Sequence, residues 1–296
     1  MSGSWKTSEP GFVPAGSRPP GFPVSPRPGH AYLAGAPLLF AHRGGARLAP
    51  ENTMEAFLQA VERWGADVLE TDVRLSRDGE LVVIHDDTVD RTTDGSGSVA
   101  DMTWGELRAL DAGYRYVDLD GETSARGRGV GIPRFVDLLE ALPGVRINVD
   151  AKAPAAARPL VELLHRRGEE HRVLVASEFE ATRGDRLGYR GATSATRRQI
   201  TRFYLSHQLP FGGPYTPKTD ALQVPWRWEG RQVTTRRLIA EAHRRNLPVH
   251  VWTVDDPDIM RTLLSWGADG IQTDRPDLLA QVLHEDRGRP LPPGRP

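Results

Sequence analysis

Two carboxylates and an imidazole lie close together in the stretch Glu70-Thr71-Asp72-Val73-Arg74-Leu75-Ser76-Arg77-Asp78-Gly79-Glu80-Leu81-Val82-Val83-Ile84-His85-Asp86. Glu70 and Asp72 are two residues apart, so on a strand both side chains leave the same face. Asp78-Gly79 between two strand-like runs is a strong hairpin signal. With those two residues as the turn, pairing sets Asp72 opposite His85, about 5 Å apart at Cβ. A slip of one residue would put the pair on opposite faces. Hard oxygen donors beside a titratable nitrogen suit a divalent cation next to a general acid or base.

A second cluster lies upstream. His42-Arg43-Gly44-Gly45 follows the apolar run Leu38–Ala41, and Pro50-Glu51-Asn52-Thr53 opens a helical pattern. An imidazole beside a permanently charged guanidinium, followed by glycines that let a substrate approach the backbone, is a less ordinary setting than that of a lone histidine. Asn52 or Thr53 also fits a plain helix N-cap.

These residues need elements to place them. Nine strand-like runs are legible: Leu38–Ala41, Asp67–Val73, Glu80–Ile84, Val145–Asp150, Arg172–Ala176, Arg190–Thr193, Ala221–Val224, Val249–Thr253 and Gly270–Gln272. Helical patterns cover Thr53–Trp64, Thr103–Leu110, Arg134–Ala141, Ala155–Arg167, Ser194–Leu205, Thr234–Arg245, Pro257–Ser265 and Pro276–Glu285. The last two open on Pro, which suits a first helical turn. Strand–helix alternation predicts parallel strands with right-handed crossovers, and its length matches an α/β (β/α)8 TIM barrel. Parallel neighbours need a long crossover, whereas Glu80–Ile84 follows a tight turn. The ninth run is therefore expected as an extra antiparallel β-hairpin arm after the second strand. A doubly wound open sheet is the alternative, but no glycine-rich phosphate loop follows the first strand.

The chain has 296 residues and a formal net charge of −1, so no global basic field points to nucleic acid. It contains no cysteine, which excludes disulfides, thiolate metal sites and thiol nucleophiles. No apolar run approaches the roughly 18–20 residues needed to span a bilayer, and no basic-then-apolar leader is legible. A soluble, cytoplasmic protein without a transmembrane segment is expected. Residues 1–35 and 286–296 are rich in Pro with Gly or Arg and read as tails around a single domain at 36–285.

Taken in order, the motifs resemble the glycerophosphodiester phosphodiesterase family. The likeness is carried by His42-Arg43-Gly44, Pro50-Glu51-Asn52-Thr53, Glu70-Thr71-Asp72-Val73, Asp78-Gly79 through His85-Asp86, and Arg91-Thr92-Thr93. It continues in Ile132-Pro133, Asn148-Val149-Asp150-Ala151-Lys152, Val251-Trp252-Thr253-Val254 and Gly270 through Pro276. The resemblance implies a TIM barrel that hydrolyses a small-molecule glycerophosphodiester to glycerol 3-phosphate and an alcohol, with Mg2+ or Ca2+ as cofactor. It also implies roles: His42 and His85 as the acid/base pair, Glu70, Asp72 and Asp150 on the metal, Arg43 and Lys152 on the phosphate. Glu51 would support the site and Trp252 would line its glycerol side. Attack by the neighbouring glycerol hydroxyl, giving a cyclic phosphate that water opens, is the favoured route; direct attack by water stays open.

Asp150 stands where the family has Glu, and Asp255 where it has Asn; the first bears on metal preference, because Asp is one methylene shorter. His250 shares strand parity with Trp252 and is expected as a packed interior residue. Residues 111–131 form a glycine-rich connection suited to a lid. The aromatics between Phe203 and Trp228 suit ordinary packing or an apolar rim. Two other functions fit the same residues: a lysophospholipase D-type activity on acylated substrates, and a non-catalytic phosphodiester-binding barrel.

Overall fold

The computed structural model describes residues 30–294. Its strands are β1 (Leu38–Ala41), β2 (Val68–Leu75), β3 (Leu81–Val83), β4 (Arg146–Ala151), β5 (Val173–Ala176), β6 (Ala192–Thr193), β7 (Leu222–Pro225), β8 (Arg227–Trp228), β9 (Arg231–Gln232), β10 (Val249–Trp252) and β11 (Gly270–Thr273). The helices are α1 (Met54–Glu62), α2 (Trp104–Leu107), α3 (Phe135–Ala141), α4 (Pro154–Arg167), α5 (Arg197–His207), α6 (Arg236–His243), α7 (Pro257–Ser265) and α8 (Pro276–Arg287).

Hydrogen bonds order the parallel strands β6-β5-β4-β2-β1-β11-β10-β7, and a parallel bridge from Ser194 to Ala221 joins the two ends. The result is the expected eight-stranded barrel, with β3 attached to β2 as the extra arm. The β5-to-β6 crossover carries short 3-10 turns where the other crossovers carry α-helices. The small hairpin β8–β9, inserted after β7, was not legible in the sequence.

Strand parity sorts the core into an inside and an outside. Leu39, Ala41, Leu69, Ile147, Val149, Val173, Val175, Leu222, Val224, Val249, Val251 and Ile271 face the helices in two large clusters. Leu38, Phe40, Val68, Leu174, Ala192 and Ala221 plug the barrel's lower interior with Tyr32. Glu70 and Asp72 share Val68's parity, so they rise inward above that plug. The starts of α7 and α8 are as the sequence suggested, and α4 begins one residue before the expected Ala155. Thr53 accepts from Ala56 N, Asp256 accepts from Asp258 N and Ile259 N, and α4, α7 and α8 open on Pro.

The hairpin register differs from expectation by one residue. Val73 pairs with Val83, Arg74 with Val82 and Leu75 with Leu81. The loop is the three residues Arg77-Asp78-Gly79, closed by Ser76 N to Glu80 O at 2.9 Å, with Gly79 at φ 87°. A three-residue loop needs a left-handed last residue, which Gly supplies. Asp78 is drawn into it by Ser76 Oγ at 2.6 Å and Trp104 N at 2.9 Å. Asp72 therefore faces Ile84, whose N–H donates to Asp72 O at 3.1 Å. His85 reaches the barrel mouth another way, because β3 stops at Val83 and the chain turns.

Most of the amino-terminal tail lies outside the described residues. Residues 31–33 form a turn under the barrel with Tyr32 buried, and Arg146 donates to the carbonyls of Tyr32 and Ala34. At the other end Arg289 makes a two-pronged ion pair with Asp67, at 2.7 Å to each oxygen.

Candidate active site

Residues just past the strand C-termini converge on a cavity of about 600 Å3, lined by His42, Arg43, Glu70, Asp72, His85, Asp150, Lys152 and Trp252 among others. The site begins where β1 ends. Arg43 sits in the left-handed region (φ 49°, ψ 32°), followed by Gly44, where an added Cβ would lie 2.7 Å from Ala56 Cβ. Helix α1 thus packs directly on the turn, fixing it below the cavity.

His42 Nδ1 donates to Asp274 Oδ1 at 2.6 Å, since a carboxylate only accepts, and its Nε2 lies 3.8 Å from Glu70 Oε2. Burial disfavours the imidazolium, but Glu70 and Asp274 outweigh it and raise the pKa above the ordinary value. Asp274 is itself held by Asp255, three residues past β10. Asp255 Oδ1 accepts from Asp274 N and from Thr273 Oγ1, both at 2.8 Å.

Arg43 ties the carboxylates together. Its backbone N–H donates to Glu70 Oε2 at 3.0 Å, its Nη1 to Glu51 Oε1 at 2.9 Å, and its Nε lies 3.4 Å from Asp72 Oδ2. Asp72 and Asp150 are direct neighbours across the parallel β2–β4 pair. Lys152 Nζ stands between them, 3.1 Å from Asp72 Oδ1 and 2.7 Å from Asp150 Oδ2. Burial would push the Asp72 carboxyl up, but Lys152, Arg43 and His85 hold it well below the usual carboxylate range. Glu70 goes the other way: burial, then Asp72, push it up to about 7.

His85 is positioned by a ring of ion pairs. Its Nδ1 meets Asp86 Oδ1 at 2.6 Å, Asp86 pairs with Arg91, and Arg91 donates to both oxygens of Glu51 at 2.8 and 2.7 Å. Glu51 therefore braces both histidines, one through Arg43 and one through Arg91. Arg74 Nε fixes the His85 carbonyl at 2.8 Å. Burial is the largest influence on the His85 ring and leaves its pKa below the ordinary value.

The facing wall is different. Ala176, Ala195, Ile200, Tyr204, Pro225, Trp228, Val233 and Trp252 line it, with Arg197 and Arg231 at the rim. Beneath both walls, Gln223 Nε2 donates to Asn148 Oδ1 at 3.0 Å and lies 3.4 Å from His250 Nδ1. His250 is fully buried against Phe40, ring centroids 4.6 Å apart, as expected of an interior residue.

The acidic residues fit a hard divalent cation by donor chemistry. Asp150 Oδ1 is buried without a hydrogen-bond partner among the described residues, and burial beside the Asp72 carboxylate is what raises Glu70. Among the described residues, however, no three acidic or imidazole side chains are already gathered as an ion site. Lys152 supplies cationic charge between Asp72 and Asp150 instead.

Of the nine site residues named from the sequence, eight line this cavity and the ninth, Glu51, braces it. Asn52, weighed as a cap, is not one: Thr53 caps α1. Asn52, at φ 57°, donates to Asp72 Oδ2 at 3.0 Å and accepts from Thr71 Oγ1 at 2.8 Å. Asp274, Asp86 and Arg91 were in the recognised motifs, but no role was given them. Their positions one residue past β11, or one and six past His85, were the signal.

The C-terminal rim of this (β/α)8 barrel thus gathers two imidazoles, clustered carboxylates and two half-buried cations, groups suited to the class of hydrolases that act on anionic esters. The particular family follows from comparison with known proteins. Residues 42–278 match the glycerophosphoryl diester phosphodiesterase family, and the chain belongs to it. It is 35% identical over 256 residues to the probable glycerophosphodiester phosphodiesterase 2 of Mycobacterium tuberculosis, covering 84% of this chain and 91% of that one. It is 31% identical over 265 residues to a glycerophosphodiester phosphodiesterase of Caldanaerobacter subterraneus, covering 84% and 98%. The crystal structure of a glycerophosphodiester phosphodiesterase from Agrobacterium tumefaciens superposes with a TM-score of 0.65 at 28% identity, covering 82% of this chain and 99% of that one. The protein is thus a phosphoric diester hydrolase.

Proposed function

We propose that the enzyme hydrolyses small glycerophosphodiesters to glycerol 3-phosphate and an alcohol by paired-histidine acid/base catalysis, assisted by Mg2+ or Ca2+. The observation that carries this reading is the opposite tuning of two imidazoles on one cavity: His42 raised, His85 lowered. Environments that push two titratable groups apart are those that assign acid and base. His85, neutral near pH 7, takes the proton of the attacking hydroxyl. His42, protonated, gives one to the departing alkoxide oxygen. Where the attacking oxygen is the neighbouring glycerol hydroxyl, a cyclic phosphate forms and the same pair, with roles exchanged, opens it with water.

A phosphodiester anion repels its nucleophile, and Arg43 and Lys152 are the side chains that offset that charge as it grows. Glu70, Asp72 and Asp150 would hold the cation, which supplies Lewis-acid polarisation of a phosphoryl oxygen. Asp150, shorter than the family's Glu and already paired with Lys152, favours Mg2+, an ion that readily keeps waters in its shell.

The test is turnover of glycerophosphocholine with and without chelator, followed by release of glycerol 3-phosphate. Loss on chelation and recovery with Mg2+ is expected; undiminished turnover in chelator would remove the cation from the mechanism. Activity should fall above the raised His42 pKa, where the acid is lost, and below the lowered His85 pKa, where the base is protonated. Asp274→Asn should bring the alkaline limb to lower pH, because it removes an anion that favours the His42 imidazolium.

A second reading, a lysophospholipase D-type activity on acylated substrates, is favoured by the apolar wall of Ile200, Tyr204, Val233 and Trp252. Rates on lysophosphatidylcholine against glycerophosphocholine separate the two.

A further inference from the structure

The charge of the chain is not spread evenly. Residues 183–237 hold eleven Arg and Lys against three Asp and Glu, a net of +8 within a chain whose total is −1. This segment contains α5 and the β8–β9 hairpin, and so builds one side of the active-site mouth. Arg198 and Arg202, four apart and exposed on α5, have no carboxylate in ion-pair range among the described residues, nor does Arg231. Arg198 and Arg202 share a second hollow of about 360 Å3 with Arg183, Arg186 and Lys218. Glu180 in that hollow is already paired with Arg183 and Arg186.

Apolar side chains stand beside this charge. Phe179, just past β5, is 48% exposed and Trp228, on β8, is 45% exposed. They flank the start of α5, where Arg197 donates its N–H to Glu178 O at 3.1 Å and lays its guanidinium 5.0 Å from the Trp228 ring centroid. Trp228 is also part of the cavity wall. Helix α5 joins the two: Arg197 meets Trp228 at the cavity, and Arg198 and Arg202 line the neighbouring basic hollow, so exposed rings and basic charge lie side by side next to the active site. Aromatic side chains favour the membrane–water interface, and basic clusters favour anionic headgroups. An RNA would meet the charge but would leave the apolar cavity wall behind Trp228 unexplained.

We propose that this rim docks the enzyme on an anionic lipid surface, with Phe179 and Trp228 entering the interface and Arg198 and Arg202 on lipid phosphates. The proposal rests on the phosphodiesterase reading for its purpose, that of admitting lipid-derived substrate at the mouth, but not for its test.

The full chain is sedimented with vesicles of phosphatidylcholine alone and of phosphatidylcholine with 3:1 phosphatidylglycerol. Binding at least tenfold stronger to the anionic vesicles, weakened by salt, is expected. The double variant Arg198→Glu/Arg202→Glu should lose that binding at least tenfold and keep its turnover of soluble glycerophosphocholine, since neither residue lines the cavity. Phe179→Ser should weaken vesicle binding severalfold with less salt dependence. Equal partition to both vesicles, or anionic binding unchanged in the double variant, would overturn the proposal. So would binding of single-stranded RNA without binding of vesicles. Turnover of glycerophosphocholine without vesicle binding removes the docking surface alone; vesicle binding without turnover of any diester removes the phosphodiesterase reading alone.

Discussion

The two walls of the cavity are built on different physics. The wall on β1, β2 and β4 is a closed set of ion pairs in which each charged group is held by at least one other. Glu51 meets Arg43 and Arg91, Lys152 meets Asp72 and Asp150, and His42 meets Asp274 and Glu70. The wall beside β5, β6 and β7 includes Ile200 and Tyr204 on α5, Trp228 on the short β8–β9 hairpin and Val233 just past it. Charge development at phosphorus requires fixed partners, because reorganising them would cost transition-state stabilisation. An acyl chain on the substrate would require only shape and apolar surface. On the proposed reading, the difference teaches that chemistry and substrate choice are held by separate parts of the barrel and can be changed separately.

Breaking the charged wall should have the largest effect. His42→Ala and His85→Ala are each expected to lower kcat by about 10²–10⁴, the usual contribution of a positioned acid or base. Equal activity of either variant with the native enzyme would show that the pair is not the catalytic one. Lys152→Met should cost about 1–3 kcal/mol of stability, because it removes the cation between Asp72 and Asp150 and leaves only Arg43 and Asn52 on the buried Asp72 carboxylate. Chemical denaturation measures it, and a Lys152→Met/Asp72→Asn double variant should recover part of the loss.

The floor below both walls gives a sharper reading at equilibrium. Burial pushes His250 down to about 4. Unfolded, it titrates near 6.5, so between those values the unfolded state binds the extra proton and stability falls as the pH falls. The expected contribution is about 3 kcal/mol, present in full above about pH 6.5 and gone below about 4. Comparing denaturation midpoints of native protein and His250→Leu from pH 7 to pH 4 isolates it; parallel curves would refute it. The smallest effect belongs to the apolar wall. Val233→Ala should raise KM for lysophosphatidylcholine roughly fivefold through lost apolar contact, with glycerophosphocholine little changed. An equal change for both would mean that this wall touches the shared glycerophosphate part.

Much of the barrel was legible, and for local reasons. β1 and α7 begin and end where the sequence placed them, since a buried apolar run and an Asp256-Pro257 cap are written in adjacent residues. The hairpin register was not, because choosing a two- or three-residue loop depended on Asp78 being captured by Ser76 and by Trp104, which lies 26 residues on. The β8–β9 hairpin escaped notice because each strand has only two residues, too few for any alternation to show.

By itself the sequence determined which residues line the cavity: the inward parity of Glu70 and Asp72, the turn after β1, and the order of the motifs are properties of neighbouring positions. The tertiary structure alone decided what those groups do to one another. Lys152 meets Asp72 across a strand pair, Asp274 meets His42 from the far end of the chain, and Arg91 reaches Glu51 over a separation of 40 residues. Charges interact through space in a low-dielectric interior, so one imidazole can be raised and the other lowered only after the barrel has closed.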